Sequence, residues 1–158
     1  MPKRHPGLIP LSHDHHHGLA LALRCRKQAL GQIKPTGAEG LRLRAGEFLT
    51  LFAAELRSHF EAEEEILFPK MSLHVPESEE LITDLMRDHE SLRLTIPKLQ
   101  ATVGLGKVIF DLGDLLERHI RREERELFPL FEQHAAVIGG DEIAEKLINF
   151  LELARKGD

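Results

Sequence analysis

The chain has 158 residues, 42% of them apolar and 30% charged, with a formal net charge of −5. That length can bury a core of its own, and the acidic balance excludes the basic footprint of a nucleic-acid binder. No apolar run approaches the roughly 20 residues of a membrane span, no signal-peptide core follows Met1, and the single Cys25 has no internal disulfide partner, so a cytoplasmic domain over residues 1–158 is expected.

Residues 1–11 carry three prolines and a glycine and read as an extended lead-in. Ser12 is the expected N-cap of a first helix over about 12–31, with Leu19, Leu23 and Leu30 at helical period. A second helix runs from about Leu41 to Phe68 along Phe48, Phe52, Leu56, Phe60 and Leu67, where Pro69 is expected to disturb it. Residues 70–77 make a short connection. Ser78 then caps a third helix whose inward stripe is Ile82, Leu85, Met86, His89, Leu92 and Ile96. Pro97 is expected to kink or end it, and Gly104 and Gly106 mark the next break. A fourth helix covers about 107–133. Asp141 caps a shorter fifth helix over about 141–155, which either packs across the others or serves a partner subunit in a homodimer. No segment alternates with period two. The expectation is an all-α protein: an up-and-down antiparallel four-helix bundle over about 12–133 with an additional short C-terminal helix.

One phrase occurs twice in this frame. His59-Phe-Glu-Ala-Glu63-Glu-Glu-Ile-Leu-Phe-Pro69 returns 60 residues later (59 to 119) as His119-Ile-Arg-Arg-Glu123-Glu-Arg-Glu-Leu-Phe-Pro129. A spacing of four puts His59 over Glu63, and His119 over Glu123, on one helix face. Both pairs fall on apolar stripes. Two buried carboxylates and two imidazoles cost several kcal/mol unless each is paired, and a cation removes that cost.

The alternate helices add imidazoles. His89, in Asp88-His89-Glu90, lies on the inward stripe of the third helix. The first helix offers His13, His15, His16 and His17, which cannot all point inward. His16 precedes Leu19 by three and Leu23 by seven, as His89 precedes Leu92 and Ile96, and is the first choice; His15 is the second. Glu64 and Glu124 lie about 100° round the helix from their neighbours, placed to bond ligand histidines from outside or to bridge to neighbouring helices. Cys25 reads as packing. The candidate metal ligands are therefore His16 or His15, His59, Glu63, His89, His119 and Glu123. Four histidines and two glutamates suit two divalent ions with positions left over, iron, manganese or zinc among them, and lack the thiolates of structural zinc.

These motifs resemble the hemerythrin-like, HHE cation-binding family. The resemblance rests on Leu11-Ser-His-Asp-His-His-His-Gly-Leu19, His59-x-x-x-Glu63, Asp88-His89 and His119-x-x-x-Glu123-Glu-x-x-Leu-Phe-Pro129, and spans about 10–133. It implies an up-and-down four-helix bundle with a non-haem di-iron centre, and functions such as carrying O2, sensing O2, NO or iron, or repairing iron–sulfur clusters. The chain departs from the oxygen carriers, which have a second histidine four after the third-helix one, where this chain has Arg93, and an aspartate five after the fourth-helix one, replaced here by Glu123 at four. The expectation is a di-iron protein that binds or senses O2, NO or iron, or acts in iron handling or repair. A di-iron redox enzyme reducing peroxide or NO, and a purely structural metal, are the alternatives.

Overall fold

The computed structural model describes residues 3–156; the first two positions of the predicted lead-in and the last two of the chain lie outside them. Among the described residues every regular element is helical. A 3₁₀ turn, Pro6–Leu8, runs straight into α1, Ile9–Ala29. The longer α2 spans 37–74, α3 is Glu79–Thr95, α4 spans 105–133, α5 is the single turn Ala135–Ile138 and α6 is Gly140–Lys156.

Two helix boundaries beside prolines differ from the sequence expectation, each for a local reason. The lead-in is helical from Pro6, because Pro6 and Pro10 both sit in a first turn, where their missing N–H costs nothing. Ser12 is consequently inside α1, and its hydroxyl donates to Glu124 Oε2 at 2.7 Å. Pro69 does not stop its helix, and the helix that carries Pro129 runs on to Gln133 as expected. Each proline follows a π turn, Glu63–Leu67 or Glu123–Leu127, whose extra residue re-registers the backbone just before the ring that cannot donate. Residues 70–74 are therefore helix, and Ser78 stands at the expected N-cap position of α3, but its hydroxyl donates back to Val75 O at 2.7 Å and makes no side-chain cap bond. The stop at Thr95 before Pro97 and the break at Gly104 fall where expected.

The buried face of α1 is not the one its leucines mark. Leu23 and Leu30 are exposed, whereas Leu11, His15, Gly18, Leu21, Ala22 and Cys25 are buried. This face is small because α1 and α4 lie close together. A Cβ on Gly113 would come within 2.8 Å of the Ala22 carbonyl oxygen, and one on Gly18 within 2.7 Å of Ile120 Cδ1. Met86 likewise leaves the predicted inward stripe of α3 and is exposed.

The apolar interior has two parts. One contains Leu11, Leu67, Leu85 and Leu127, the other Leu21, Phe60, Leu92 and Ile120. On each of the four long helices the chain crosses from one part to the other beside a histidine or glutamate: at His15, between His59 and Glu63, at His89 and at Glu123. A polar layer thus sits between two dry cores, each removing apolar surface from water at about 25 cal/mol per Å². The sixth helix packs across this assembly, with Ile143, Leu147 and Leu151 joining the first core, so its apolar stripe is satisfied within the chain.

Candidate metal centre

His59 and His119 are each followed one turn later by a carboxylate on the same helix, and the π turns begin at those carboxylates, Glu63 and Glu123. Opposite them α1 presents His15 and α3 presents His89. All six side chains are buried, Glu63, His89 and Glu123 completely.

The six fall into two overlapping groups. His15, His59, Glu63 and Glu123 bring one ligating atom each within 4.8 Å of one another, and so do Glu63, His89, His119 and Glu123. Both glutamates belong to both groups, so one pair of carboxylates faces two pairs of imidazoles. His16, the first choice from sequence, is exposed and belongs to neither. That choice followed the phase of Leu19 and Leu23, which is not the buried phase of α1; His15 takes the position. His13 and His17 are also exposed, their rings 4.8 Å apart, and His17 bonds Glu55 at 2.9 Å.

Each of the four buried imidazoles has its Nδ1 bonded to a carboxylate. His59 Nδ1 lies 2.9 Å from Asp14 and His89 Nδ1 2.6 Å from Glu64; His119 Nδ1 is 3.0 Å from Asp88 and His15 Nδ1 2.6 Å from Glu124. The four bonds run round the molecule, each carboxylate lying on the helix next to that of its histidine. Donation from Nδ1 leaves Nε2 as the lone-pair atom, and Nε2 is the atom that points inward in every case. Glu64 and Glu124 thus bond buried histidines of neighbouring helices. The matching role of Asp14 and Asp88 escaped sequence reasoning, although the dipeptide Asp-His recurs as Asp14-His15 and Asp88-His89.

Inward, the bonding is incomplete. His89 Nε2 and His119 Nε2 face each other at 3.2 Å, although the Nδ1 of each is already engaged. His15 Nε2 lies 2.9 Å from Glu123 Oε1, a lone pair against a carboxylate unless a positive charge intervenes. His59 Nε2, both oxygens of Glu63 and Glu123 Oε2 are buried without any hydrogen-bond partner. The distances from Glu63 to His89 Nε2 and His59 Nε2, 3.2 and 3.5 Å, are ion-pair contacts rather than aligned hydrogen bonds.

The electrostatics record the same demand for positive charge. Burial opposes protonation of His15, His59 and His89, yet the surrounding carboxylates outweigh it. Glu123 and Glu124 raise His15, Glu63 and Asp14 raise His59 well above the ordinary value, and Glu63 with Glu64 push His89 up to about 9. Burial would raise Glu123, but the charge on His119 and bonds from its other neighbours hold it well below the carboxylate range. In Glu64 the bonds from His89 and Arg93 overcome burial and bring it down to about 2.

Cations in the centre of this layer would satisfy every orphaned atom, and the donors are of the right kind: neutral imidazole and carboxylate, with no thiolate. The residues fit a metal. Cys25 takes no part; it is buried in the second core, where burial pushes its thiol up to about 12. Arg93, at the position of the oxygen carriers' second histidine, bonds Glu64 at 2.7 Å instead.

An all-helical assembly with buried His/Glu groups that can hold metal defines a cation-binding helical protein. The family model for the hemerythrin HHE cation binding domain matches residues 8–151, and the chain belongs to that family. No curated protein and no solved structure matches it. Among the described residues no helix is long and apolar enough to cross a membrane.

Proposed function

We propose that this protein binds two iron ions side by side, and that the pair receives a small diatomic ligand, O2 or NO, or serves iron handling. His15 and His59 would hold one ion and His89 and His119 the other, with Glu63 and Glu123 available to both. The observation that carries this reading is the sharing of two buried, under-bonded carboxylates by two groups of imidazoles. Two carboxylates neutralise half the charge of two divalent ions. Two imidazoles and two carboxylate oxygens per ion fall short of the roughly six donors an octahedral ion accepts, which leaves positions for solvent or a small ligand. Iron in such a site supplies open coordination and one-electron redox chemistry. Manganese and zinc suit the same donors.

The protein's own part is to hold and to shield. Four carboxylates fix the imidazole tautomers. Phe60 stacks on His89 with centroids 4.1 Å apart and Phe128 on His15 at 5.4 Å, closing the layer with apolar surface. We read the long helices as an up-and-down four-helix bundle. The Asp14–His59, His89–Glu64 and Arg122–Asp84 pairs, together with the alternation of the two cores along successive helices, support that topology.

Binding or sensing is placed ahead of turnover because the inward imidazoles and carboxylates are all committed to the ions, leaving no separate acid–base pair for an organic substrate. The test is the optical spectrum of protein loaded with Fe(II) without air, before and after O2 and NO. New bands at stoichiometric gas support the reading. Continuous consumption of peroxide or NO moves the protein to the enzyme class, and no spectral change with either gas refutes diatomic binding.

A further inference from the structure

The two halves of the centre follow one plan, but one of them has an extra support. The side chain of Asp14, the carboxylate that bonds His59, is 2% exposed, whereas that of its counterpart Asp88 is 25% exposed. Asp14 meets a cation from the far end of the chain. Arg155, near the end of α6, places Nη2 at 2.8 Å from Asp14 Oδ2 and Nη1 at 3.3 Å from Oδ1, a two-pronged contact. The same guanidinium donates from Nε to Ser58 Oγ at 3.0 Å and from Nη2 to the Glu55 carbonyl at 3.1 Å. Glu55 belongs to the π turn Phe52–Leu56, one turn ahead of His59. Arg155 therefore ties α1, α2 and α6 together at the residue that orients His59.

Nothing equivalent serves His119. Among the described residues the one ion-pair partner of Asp88 is His119 itself, and α4 is regular α-helix through Leu105–Arg122, with no π turn ahead of His119. Glu64 and Glu124 do meet arginines, Arg93 at 2.7 Å and Arg4 at 3.2 Å, but at partly exposed positions and through one contact each to the carboxylate. Burial penalises the charge on Asp14, and the bonds from His59 and Arg155 overcome it and hold that carboxyl below its ordinary value.

We propose that Arg155 is a positioning residue: through Asp14 it fixes the His59 imidazole, and so gives the His15–His59 half of the centre a higher ion affinity than the His89–His119 half. The C-terminal helix thereby sets the order in which the two ions bind. This rests on the two-ion reading above. Removing a partner that orients a ligating histidine typically costs 10–100-fold in metal affinity.

The test is a cobalt(II) titration of the full-length protein, followed by absorption, with wild type, Arg155→Met, Arg155→Lys and Asp88→Asn. Wild type should bind two ions in separable steps. In Arg155→Met the tighter step should weaken 10–100-fold while the other stays within about threefold. Arg155→Lys should recover part of the loss, and Asp88→Asn should weaken the other step. Equal weakening of both steps, or an unchanged titration in Arg155→Met, overturns the proposal. If wild type binds no second ion, the two-ion reading fails by itself. Arg155 is then judged on the metal-free protein from the ring N–H signal of His59 in 1H–15N spectra. That signal should be lost to exchange in Arg155→Met and retained in Arg155→Lys; its persistence in both overturns the positioning role.

Discussion

Stripping the ions should cost this protein much of its stability, and the structure sets the scale. Four site atoms, His59 Nε2, Glu63 Oε1, Glu63 Oε2 and Glu123 Oε2, are buried without a hydrogen-bond partner. They belong to three groups, one imidazole and two carboxylates; each buried unsatisfied group costs about 1–3 kcal/mol, so three amount to about 3–9 kcal/mol. That is comparable to the whole unfolding free energy of a typical domain, about 5–15 kcal/mol. Mass action gives a consistent figure: at a free-ion concentration 1,000-fold above Kd, one site contributes about 4 kcal/mol and two contribute about 8. With an unfolding entropy near 2.1 cal/mol/K per residue, a chain of 158 residues converts about 3–9 kcal/mol into roughly 9–27 °C of Tm. The assay is thermal unfolding by circular dichroism of chelator-treated and Fe(II)- or Zn(II)-loaded protein. A rise of at least about 10 °C on loading, reversed by chelator, is expected. A shift below about 3 °C with both ions shown to be bound would refute the reasoning, because the orphaned atoms would then carry no cost.

Four further outcomes follow from particular residues. His15→Ala should abolish full metal loading while His16→Ala leaves it intact; elemental analysis of the two variants decides, and the reverse result would restore the sequence-based choice. Loading should release protons at pH 7, because ligation needs neutral imidazole while His89 in the metal-free protein titrates at about 9. Affinity should therefore climb from pH 7 to about 9 and then level, as calorimetry in buffers of different ionisation enthalpy would show; absence of proton release contradicts it. The same shifts set the stability of the metal-free protein. The His89 contribution is full below 6.5 and lost as pH rises through about 9, and that of Glu64 is full above 4.5 and lost as pH falls through about 2. Urea unfolding of the metal-free protein should accordingly be most resistant between those limits. Gly113→Ala should destabilise by about 1–2 kcal/mol in spite of alanine's better helix propensity, since its Cβ meets backbone oxygen across the α1–α4 contact; equal or higher stability in urea would contradict that close approach.

Much of this architecture is legible in the sequence, and the misreadings are physical. The long helices could be read because leucine and phenylalanine recur at helical period and glycine or proline punctuates most ends. Pro69 misled because a π turn lets a helix pass a proline, and that signature is local backbone register rather than composition. Helix α1 was phased wrongly for a different reason. Its buried face consists of Gly18, Ala22, Cys25 and Gln28 beside Leu21, residues that give weak hydropathy, while its conspicuous Leu23 and Leu30 face solvent. The error carried directly into the preference for His16. The repeated His-x-x-x-Glu phrase located four of the six central residues, because a buried charge pair on an apolar stripe is anomalous on sight. The repeat of Asp-His, at Asp14-His15 and Asp88-His89, was the available signal for both His15 and the orienting aspartates. The role of Arg155 could not be read in this way, since it depends on where α6 docks, more than 90 residues from His59 in the chain (59 to 155).

The central claim, two ions sharing Glu63 and Glu123, is tested most directly by anomalous diffraction at the iron edge from crystals of protein loaded with Fe(II) without air. Two peaks are predicted, one beside His15 and His59, the other beside His89 and His119, each within bonding distance of both glutamates. A single peak, or two peaks without a common carboxylate, would contradict the account.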